Sequence, residues 1–373
     1  MTTVDRIPNI GVVGLGTFGI NHLRCFKQMG YWGQANLVAG CDTNQQLLAQ
    51  RNQEFDMNLY TDFRDMLEKE DLDGITVVTP DAAHHDIVMA AAEAGVHVLC
   101  EKPLDVTVAG CQEMIDACNK ASVLLQVDFH KRYDEYHIAM KQKLDAGDFG
   151  AVQYGYVHME DRIEVPKDWF PGWAPKSSPA WFLGIHFYDL VRWMIDDDAV
   201  EVWATGHKGR LRDLGVDTWD SVSAKVLFDG GTSVCFDTSW ILPYGFEAIV
   251  NQGIRLVGTH GLLECDSQDR GTVTCIAEDA PSVLTGKTSR AGMETHNKSF
   301  LRQKTDKQGR EVWEGYGMTS IADFAENVDV LINGGKLADL GAYPSGYDGL
   351  EATKIAAAVH QSLAEGSTFV RID

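Results

Sequence analysis

Three glycines near the amino terminus have a spacing that can bind the phosphates of a dinucleotide. Gly14, Gly16 and Gly19 match the pattern G-x-G-x-x-G directly after an apolar run, and a helical pattern begins at Phe18. In this motif the first glycine permits a tight turn, the second lets the backbone approach the pyrophosphate, and the third lets the helix pack on the strand. The free N–H groups at the start of the helix then face the phosphates. The pattern therefore predicts a dinucleotide site.

Asp42 is the predicted partner of the cofactor ribose. It follows the second apolar run, 23 residues after Gly19, which is close to the roughly 20-residue spacing expected for this acid. A carboxylate there accepts hydrogen bonds from both ribose hydroxyls of NAD but faces the 2′-phosphate of NADP at close range. The segment Thr43–Leu48 contains no Arg or Lys that would neutralise that phosphate. The sequence therefore favours NAD.

Lys102 is the first candidate for the reacting groups. It lies in the tripeptide Glu101-Lys102-Pro103, directly after the fourth apolar run. Pro103 restricts Lys102 to extended conformations and so fixes its direction. A lysine beside a positively charged nicotinamide is more easily deprotonated, so it could polarise or deprotonate a substrate hydroxyl. By position alone, an ordinary surface lysine beside a glutamate is an equally good interpretation.

The first third of the chain alternates apolar runs with helical patterns, the rhythm of β-α-β units. Runs that are apolar at every position fit parallel strands covered by helices on both faces. Ligands of such sheets bind beyond the carboxyl ends of the strands, where Glu101–Pro103 and the segment Thr79–His85 both lie. Asp42 and Thr61 are predicted helix caps. The predicted strands are Ile10–Gly14, Leu37–Cys41, Gly74–Val78, Val96–Cys100 and Val123–Val127.

The periodicity changes after residue 128. Strand-like runs follow one another and are separated by the turns Asp229–Gly231 and Thr259–Gly261. Grouped strands of this kind are typical of an α+β domain with an antiparallel or mixed sheet. The fold class predicted for the whole chain is therefore α/β: a doubly wound parallel Rossmann domain over residues 1–128, then an α+β domain with a large, mostly antiparallel open sheet over residues 129–373.

Composition limits the class of partner. The 373 residues suit two domains. With 32 Lys and Arg against 54 Asp and Glu, the net charge is −22, and such a surface repels nucleic acid and anionic lipid. The longest apolar runs fall far short of the roughly 18 residues of a membrane helix. We therefore expect neither nucleic acid nor a membrane as a partner.

The cysteines and the amino terminus indicate a compartment. Eight cysteines are scattered without a Cys-x-x-Cys spacing, which predicts no disulfide framework and no zinc site. Met1–Pro8 carries an acid and no apolar segment, so no secretory signal is expected. Asp196–Asp198 is interpreted as a solvated loop, and no metal site is predicted. The expected location is the cytoplasm.

Several segments in this order resemble the Gfo/Idh/MocA oxidoreductases, a family named for glucose–fructose oxidoreductase, inositol dehydrogenase and a rhizopine-catabolism protein. The resemblance covers nearly the whole chain, and only Glu-Lys-Pro is fairly specific by itself. The matching segments are Gly14–Gly19 (GLGTFG), Thr79–His85 (TPDAAHH), Glu101–Pro103 (EKP), Phe129–Asp134 (FHKRYD), Gly184–Trp193 (GIHFYDLVRW) and Gly258–Leu263 (GTHGLL).

The resemblance implies roles for individual residues. Lys102 matches the lysine that contacts substrate and nicotinamide, and its peptide bond to Pro103 is expected to be cis. His186 matches the histidine proposed as acid/base for the reacting hydroxyl. The expected cofactor-binding residues are Gly14, Gly16, Thr17, Phe18, Gly19, Asp42, Thr43, Thr79, Pro80, His84, Glu101, Lys102 and His130. The expected substrate-binding residues are Lys102, His130, Arg132, Asp161, Trp181 and His186.

The chain departs from the family pattern at Phe182. Many members carry an aspartate there, one helical turn before the histidine. Phenylalanine can neither orient the His186 imidazole nor raise its basicity. Either another acid orients it, or His186 works unassisted; the alternative is a histidine satisfied within an apolar helix. The candidate acids are Glu160, Asp161 and Asp189.

The expected function is oxidation of a secondary hydroxyl of an inositol, polyol or sugar by NAD, or reduction of the keto form. Lys102 and His186 would act at the reacting hydroxyl. One alternative is a glycosidase that oxidises a sugar transiently with tightly held NAD; the other is a non-catalytic NAD-binding protein. A homodimer or homotetramer formed through the C-terminal sheet is implied by the resemblance.

Overall fold

The structure, a computed structural model, describes residues 6–246, 248–266 and 300–372, with strand backbone at 271–276, 279–281, 288–290 and 293–296 between them. The described residues form two compact units. The first lies within Met1–Tyr133 and Ser299–Thr353, and the second within Asp134–Lys298 and Lys354–Asp373. The predicted domain boundary after residue 128 stays a prediction. By packing, the first unit ends at Tyr133 and also includes part of the C-terminal third of the chain.

The first unit contains a six-stranded sheet in the order β3-β2-β1-β4-β5-β6. All its described neighbours are parallel, so the predicted doubly wound sheet is confirmed. Of its two central strands, β4 is buried along its whole length and β1 at every residue after Asn9, as expected of strands covered on both faces. The strands are β1 (Asn9–Val13), β2 (Asn36–Cys41), β3 (Asn58–Tyr60), β4 (Gly74–Val77), β5 (His97–Cys100) and β6 (Leu125–Val127).

The helices follow the predicted apolar periodicity. A π-helical turn, Ala180–Gly184, precedes the helix that carries His186, and a 3₁₀ turn spans His130–Tyr133. The α-helices are α1 (Gly19–Tyr31), α2 (Gln45–Glu54), α3 (Phe63–Lys69), α4 (His84–Ala94), α5 (Val108–Ala121), α6 (Glu135–Asp145), α7 (Ile185–Ile195), α8 (Arg210–Asp213), α9 (Tyr316–Ile332) and α10 (Gly346–Ala364).

Two predicted helix caps are wrong. The cap of α2 is Asn44, whose Oδ1 accepts hydrogen bonds from the N–H groups of Gln46 at 3.0 Å and Leu47 at 3.2 Å. The cap of α3 is Asp62, one residue after the predicted Thr61. Both true caps are Asx residues, which are among the strongest N-caps. Asp42 is therefore not the helix cap, and its contacts are described with the candidate active site.

The second unit contains a nine-stranded sheet in the order β16-β13-β12-β11-β7-β10-β9-β8-β19. Its pairs are antiparallel except for β7 and β10, which run parallel. The predicted large, mostly antiparallel sheet is confirmed. The remaining strands are β7 (Val152–Arg162), β8 (Ala199–His207), β9 (Ser221–Phe228), β10 (Ser233–Leu242), β11 (Val250–Gly258), β12 (Gly261–Asp266), β13 (Gly271–Ile276), β14 (Asp279–Pro281), β15 (Thr288–Arg290), β16 (Met293–His296), β17 (Arg302–Thr305), β18 (Glu311–Glu314) and β19 (Val370–Arg371).

One face of this sheet is buried and the other is open. On β10 the buried side chains of Val234, Phe236 and Thr238 alternate with the exposed or half-buried Ser233, Cys235 and Asp237, the period of two that strand geometry imposes. Helix α7 packs on the buried face, where the rings of Tyr188 and Phe236 meet edge to face at 5.1 Å. This packing holds the helix that carries His186.

The chain returns to the first unit through β17, β18 and α9. The buried residues Met318 and Phe324 of α9 share one core cluster with Phe26 of α1. The side-chain amide of Gln28 exchanges hydrogen bonds with the backbone of Trp313, at 3.0 and 2.8 Å. None of the described helices is long and apolar enough to cross a bilayer.

Acid is expected to destabilise the second unit through His360. Its Nδ1 lies 3.0 Å from the Ala356 carbonyl, so Nε2 accepts the 2.8 Å hydrogen bond from the Ser178 hydroxyl. Burial lowers the pKa of His360 from its usual 6.5, so below about that pH the unfolded chain binds more protons than the folded one. Stability therefore falls as the pH falls, with a loss of about 2–4 °C in Tm for each kcal/mol.

Thermal unfolding between about pH 5 and pH 8 measures this effect. His360→Gln keeps an amide oxygen that can accept from Ser178 but does not titrate. The variant should show a shallower fall of Tm on acidification than the native chain. Equal slopes would show that His360 does not contribute.

Candidate active site

The carboxyl ends of the parallel strands form one row of potential ligands. Each residue after a strand donates its N–H to a carbonyl of the neighbouring strand, which continues the ladder beyond the strand end. The bonds are Gly14 N–H to Cys41 O at 2.8 Å, Val78 N–H to Val13 O at 2.7 Å, Glu101 N–H to Val77 O at 2.9 Å and Asp128 N–H to Cys100 O at 2.8 Å. The glycine loop and the Glu101–Pro103 segment therefore lie along the same edge.

The three motif glycines differ in what a side chain at each position would meet. Gly14 has φ +93°, and a Cβ there would lie 2.4 Å from the Val78 carbonyl oxygen. A Cβ on Gly19 would lie 2.0 Å from the Gly14 carbonyl oxygen. A Cβ on Gly16 would meet no atom within 4 Å. The fold therefore requires glycine at positions 14 and 19, whereas no protein atom excludes a side chain at Gly16.

The space at Gly16 contains no protein atom within 4 Å, which fits the predicted close approach of the cofactor pyrophosphate to this glycine; that contact stays a prediction. The Asp42 carboxylate lies beside the glycine loop: Oδ2 accepts from Leu15 N–H at 2.9 Å and Oδ1 from Asn44 N–H at 2.8 Å. The Thr79 hydroxyl oxygen is buried and makes no hydrogen bond within the described structure. These observations fit a bound dinucleotide.

The other predicted cofactor contacts vary in exposure. Thr17, Thr43 and Pro80 are exposed, and Phe18 is half-buried. His84 is fully buried, with Nε2 2.9 Å from the Thr79 carbonyl oxygen and Nδ1 2.9 Å from the Pro103 carbonyl oxygen. The ring therefore ties the segment after β4 to the segment after β5. Direct contact of these residues with NAD stays a prediction.

Lys102 is almost fully buried, at 6% exposure. The backbone N–H of Lys102 donates to Glu101 Oε2 at 3.2 Å. The Lys102–Pro103 peptide is cis, as the resemblance implied. A buried lysine is rare in proteins unless it is partnered or functional. Its burial at the ligand-binding edge excludes the alternative of an ordinary surface lysine.

Sequence reasoning missed two residues that contact Glu101. His22 of α1 and Asp128 after β6 are both buried, and ligand atoms of His22, Glu101 and Asp128 lie within 4.8 Å of one another. Asp128 could have been found from the strand-end rule, because it directly follows a predicted strand. For His22 the only available signal is its place on the inner face of α1, one turn after Gly19.

His130 and Arg132 are held by contacts within the first unit. The His130 ring centroid lies 5.0 Å from that of Phe300 and 5.8 Å from that of Tyr316. The Arg132 guanidinium pairs with Asp348 at 2.9 Å. The sequence did not indicate Asp348 as this partner. Contacts of His130 and Arg132 with substrate stay predictions.

The candidates in the second unit are buried on its inner side. His186 is 5% exposed, Asp161 1% and Asp189 0%. Asp161 shares the buried face of β7 with Val157 and Met159, whereas Glu160 points to the opposite face and accepts from Asn251 Nδ2 at 2.8 Å. Because α7 packs on the buried face, Glu160 is excluded as the acid that orients His186.

Phe182 belongs to an aromatic cluster. Its ring centroid lies 5.0 Å from that of Trp173 and 6.0 Å from that of Trp240. The Trp181 ring stacks on His360 at 5.5 Å. The apolar neighbours of Phe182 explain how the chain accommodates it where relatives carry aspartate. Stacking of Trp181 on a sugar stays a prediction.

The parallel sheet, the glycine loop and the strand-end aspartate define an NAD-binding oxidoreductase domain. Comparison with protein families agrees: residues 8–129 match the model of an oxidoreductase family with an NAD-binding Rossmann fold, and residues 137–264 match the GFO/IDH/MocA C-terminal domain. The chain belongs to the Gfo/Idh/MocA family, and its cofactor is NAD. It is an oxidoreductase that acts on CH–OH groups, as predicted.

Curated relatives and solved structures extend the similarity over the chain. It is 27% identical to a myo-inositol 2-dehydrogenase of Thermotoga maritima over 72% of this chain and 78% of that one. It is 26% identical to a D-apiose dehydrogenase of Paraburkholderia graminis over 98% and 90%. The scyllo-inositol dehydrogenase of Lactobacillus casei, solved with bound NAD(H) and scyllo-inositol, superposes with a TM-score of 0.73 at 20% identity over 98% and 99%.

The choice of NAD over NADP is expected to depend on Asp42. Asp42→Asn keeps one oxygen that can accept a backbone N–H but removes the charge that repels a 2′-phosphate. The ratio of kcat/KM for NAD to that for NADP should fall by about tenfold, which corresponds to ~1.4 kcal/mol. Steady-state kinetics with both cofactors measure the ratio. An unchanged ratio would show that another group sets the preference.

Proposed function

We propose that the protein is an NAD-dependent dehydrogenase that oxidises a secondary hydroxyl of an inositol, polyol or sugar, or reduces the corresponding ketone. The burial of Lys102 at the edge that carries the dinucleotide loop is the observation that supports this proposal most directly. The names of the relatives, which are inositol and apiose dehydrogenases, favour the same substrate class.

The proposed mechanism assigns one step to each reacting residue. Lys102 donates a hydrogen bond to the substrate hydroxyl and stabilises its oxygen as negative charge develops there. His186 accepts the hydroxyl proton as general base and returns it in the reverse direction. Bound NAD supplies the hydride acceptor. The glycine loop at Gly16, together with Asp42 and Thr79, holds the cofactor in place. The rate therefore depends on how the protein aligns the cofactor with the substrate.

Asp161 is the acid that we propose in place of the aspartate missing at Phe182. It is 1% exposed on the face of β7 against which the Ala180–Gly184 turn packs, and that turn leads directly into α7. A buried carboxylate beside an imidazole fixes its tautomer and raises its basicity. Asp189, on the same helix as His186, remains the second candidate. Glu160 is excluded because it lies on the other face.

Absorbance of reduced nicotinamide tests the proposal. Purified protein is given NAD or NADP with a panel of inositols, aldoses and polyols, and NAD binding is measured separately by protein fluorescence. Reduction of NAD by a cyclic polyol or sugar is the expected result. Binding without net reduction across the panel would contradict it; cleavage of aryl glycosides would then support the glycosidase alternative, and complete silence the non-catalytic one.

We propose further that a second copy of the chain covers the open face of the nine-stranded sheet. Tyr154 and Tyr156 on β7 are 54% and 43% exposed there, and paired aromatic side chains on an open sheet are typical of interfaces. Light scattering should give a dimer or tetramer for the native chain. The double change Tyr154→Asp and Tyr156→Asp should reduce the mass to that of a smaller species; an unchanged mass would contradict this interface.

A further inference from the structure

Three ionisable side chains that the proposed mechanism does not use meet beneath the strand ends of the first unit. His22 Nε2 lies 3.6 Å from Glu101 Oε1 and 3.7 Å from Asp128 Oδ2. The residues are 2%, 7% and 3% exposed, respectively. Lys102, the proposed catalytic lysine, directly follows Glu101 in the chain. The charge that this cluster carries therefore acts directly on the reacting group.

Two buried carboxyl groups this close together do not both ionise cheaply, because burial and mutual repulsion each disfavour the second charge. Asp128 Oδ1 accepts from the Ser320 hydroxyl at 2.7 Å, and Glu101 Oε2 accepts from the Lys102 N–H at 3.2 Å. Oxygen atoms of the two carboxyl groups lie within 4.8 Å of each other. Carboxylates only accept hydrogen bonds, so the two carboxyl groups can bond to each other only when one of them carries a proton.

We propose that Glu101 and Asp128 hold one proton between them, that Asp128 carries it, and that His22 keeps the pair in place, so that a single negative charge lies beside Lys102. Asp128 and His22 are thereby positioning residues for the lysine. The role of Lys102 rests on the proposed function, whereas the protonation of the pair does not.

The electrostatic surroundings agree with this assignment. Burial, and then the charge of Glu101, raises the pKa of Asp128 well above its usual value. Burial opposes ionisation of Glu101 too, but the contact with His22 and the charge of Lys102 outweigh it and lower its pKa. The proton therefore belongs on Asp128.

The remaining groups that face the pair do not change the assignment. From α1 the Cys25 thiol adds no charge, because burial raises its pKa. The His130 imidazole favours the ionised form of Glu101. Helix α9 contributes the uncharged hydroxyl of Ser320. The charge of Lys102 lowers the pKa of both carboxyls, but at Asp128 burial and the charge of Glu101 outweigh it.

A proton explains the cluster better than a metal ion. A histidine that binds a metal almost always donates its other ring N–H to a partner that fixes the ring. His22 Nδ1 is buried and makes no hydrogen bond within the described structure. The functional consequence is that Lys102 faces one negative charge; a second would compete with the substrate oxygen for the ammonium group and weaken the donor that the reaction needs.

Infrared spectroscopy of the enzyme without substrate tests the protonation directly. Carbon-13-labelled aspartate identifies the C=O stretch of a protonated aspartic acid at neutral pH. The band should be present in the native protein and absent in Asp128→Asn. It should shift in Glu101→Gln, because Asp128 then has no carboxylate neighbour, while burial still favours its protonated form. An aspartic band that is the same in the native protein and both variants would overturn the proposal.

Asp323→Asn is the matched control for this spectrum. Asp323 is a second aspartate whose pKa burial raises, and it accepts a 2.6 Å hydrogen bond from Tyr133 in a separate network. Its replacement should leave the Asp128 signal in place. Retention of a stoichiometric divalent cation after dialysis against a chelator would also overturn the proposal in favour of a metal site.

Kinetics test the positioning role separately. His22→Gln keeps an N–H at the position of Nε2, whereas His22→Leu removes it. The leucine variant should lose about tenfold in kcat, or ~1.4 kcal/mol, with little change in the Kd for NAD, and the glutamine variant should recover most of it. Equal kcat in both variants would overturn the role of His22. The infrared result stands whichever substrate the enzyme uses.

Discussion

Replacing Lys102 with alanine is expected to lower kcat for polyol oxidation by about 10²- to 10³-fold, the loss expected when one donor to a developing oxyanion is removed. The side chain is almost fully buried at the strand-end edge, so its loss leaves the developing oxyanion without a donor in a site of low dielectric. Steady-state kinetics measure kcat, and fluorescence titration should show that NAD still binds.

Two variants separate the possible roles of this lysine. Lys102→Arg keeps a positive charge, but its planar guanidinium presents its donors in a different geometry from the ammonium group, so it should remain slow. Lys69→Ala changes an exposed lysine paired with Asp65 at 2.7 Å and should leave kcat unchanged. Full activity in Lys102→Arg would reduce the lysine to a fixed charge, and full activity in Lys102→Ala would contradict the mechanism.

Gly16→Ala is expected to weaken NAD binding by at least about tenfold, or ~1.4 kcal/mol, without lowering the Tm. A methyl group on Gly16 meets no protein atom within 4 Å, so the fold accepts it. It would instead fill the space that the pyrophosphate needs for close approach to the backbone. Titration with NAD and thermal unfolding of the same preparation measure the two effects.

The other glycines provide the controls. Gly172→Ala, also without an atom within 4 Å, should change neither NAD affinity nor Tm, because Gly172 lies outside the dinucleotide domain. Gly19→Ala brings a Cβ to 2.0 Å from the Gly14 carbonyl oxygen and should lower the Tm. If Gly16→Ala binds NAD as tightly as the native protein, the cofactor does not approach the chain at this loop.

Most of the fold follows from local pattern. The apolar runs of the first sheet are nearly the strands found, such as Gly74–Val77 for the predicted Gly74–Val78, because parallel strands buried on both faces leave a continuous signal. The strand Asn58–Tyr60 was not predicted: three residues at the sheet edge, exposed or half-buried, carry too short a pattern. The return of α9 to the first unit depends on tertiary packing.

The site was predictable where chemistry follows a strand end. The segment Glu101–Pro103 was found by that rule, whereas Gly14 was found by the glycine motif and Asp42 by its spacing from Gly19. Asp128 also follows a strand end but belongs to no motif. The ion pair of Arg132 with Asp348 joins residues 216 positions apart in the sequence, and no local signal shows it. Phe182 was recognised as a departure, but its packing against Trp173 and Trp240 required the structure.

Transfer of deuterium from substrate to cofactor tests the central claim most directly. A polyol or inositol labelled with deuterium at the carbon that bears the reacting hydroxyl is incubated with NAD and the purified enzyme, and the recovered nicotinamide is analysed by mass spectrometry. The account predicts reduced nicotinamide that carries the deuterium, in amounts equal to the ketone formed, and loss of both in Lys102→Ala. Bound NAD that remains unreduced and unlabelled with every polyol, inositol and sugar tested would contradict it.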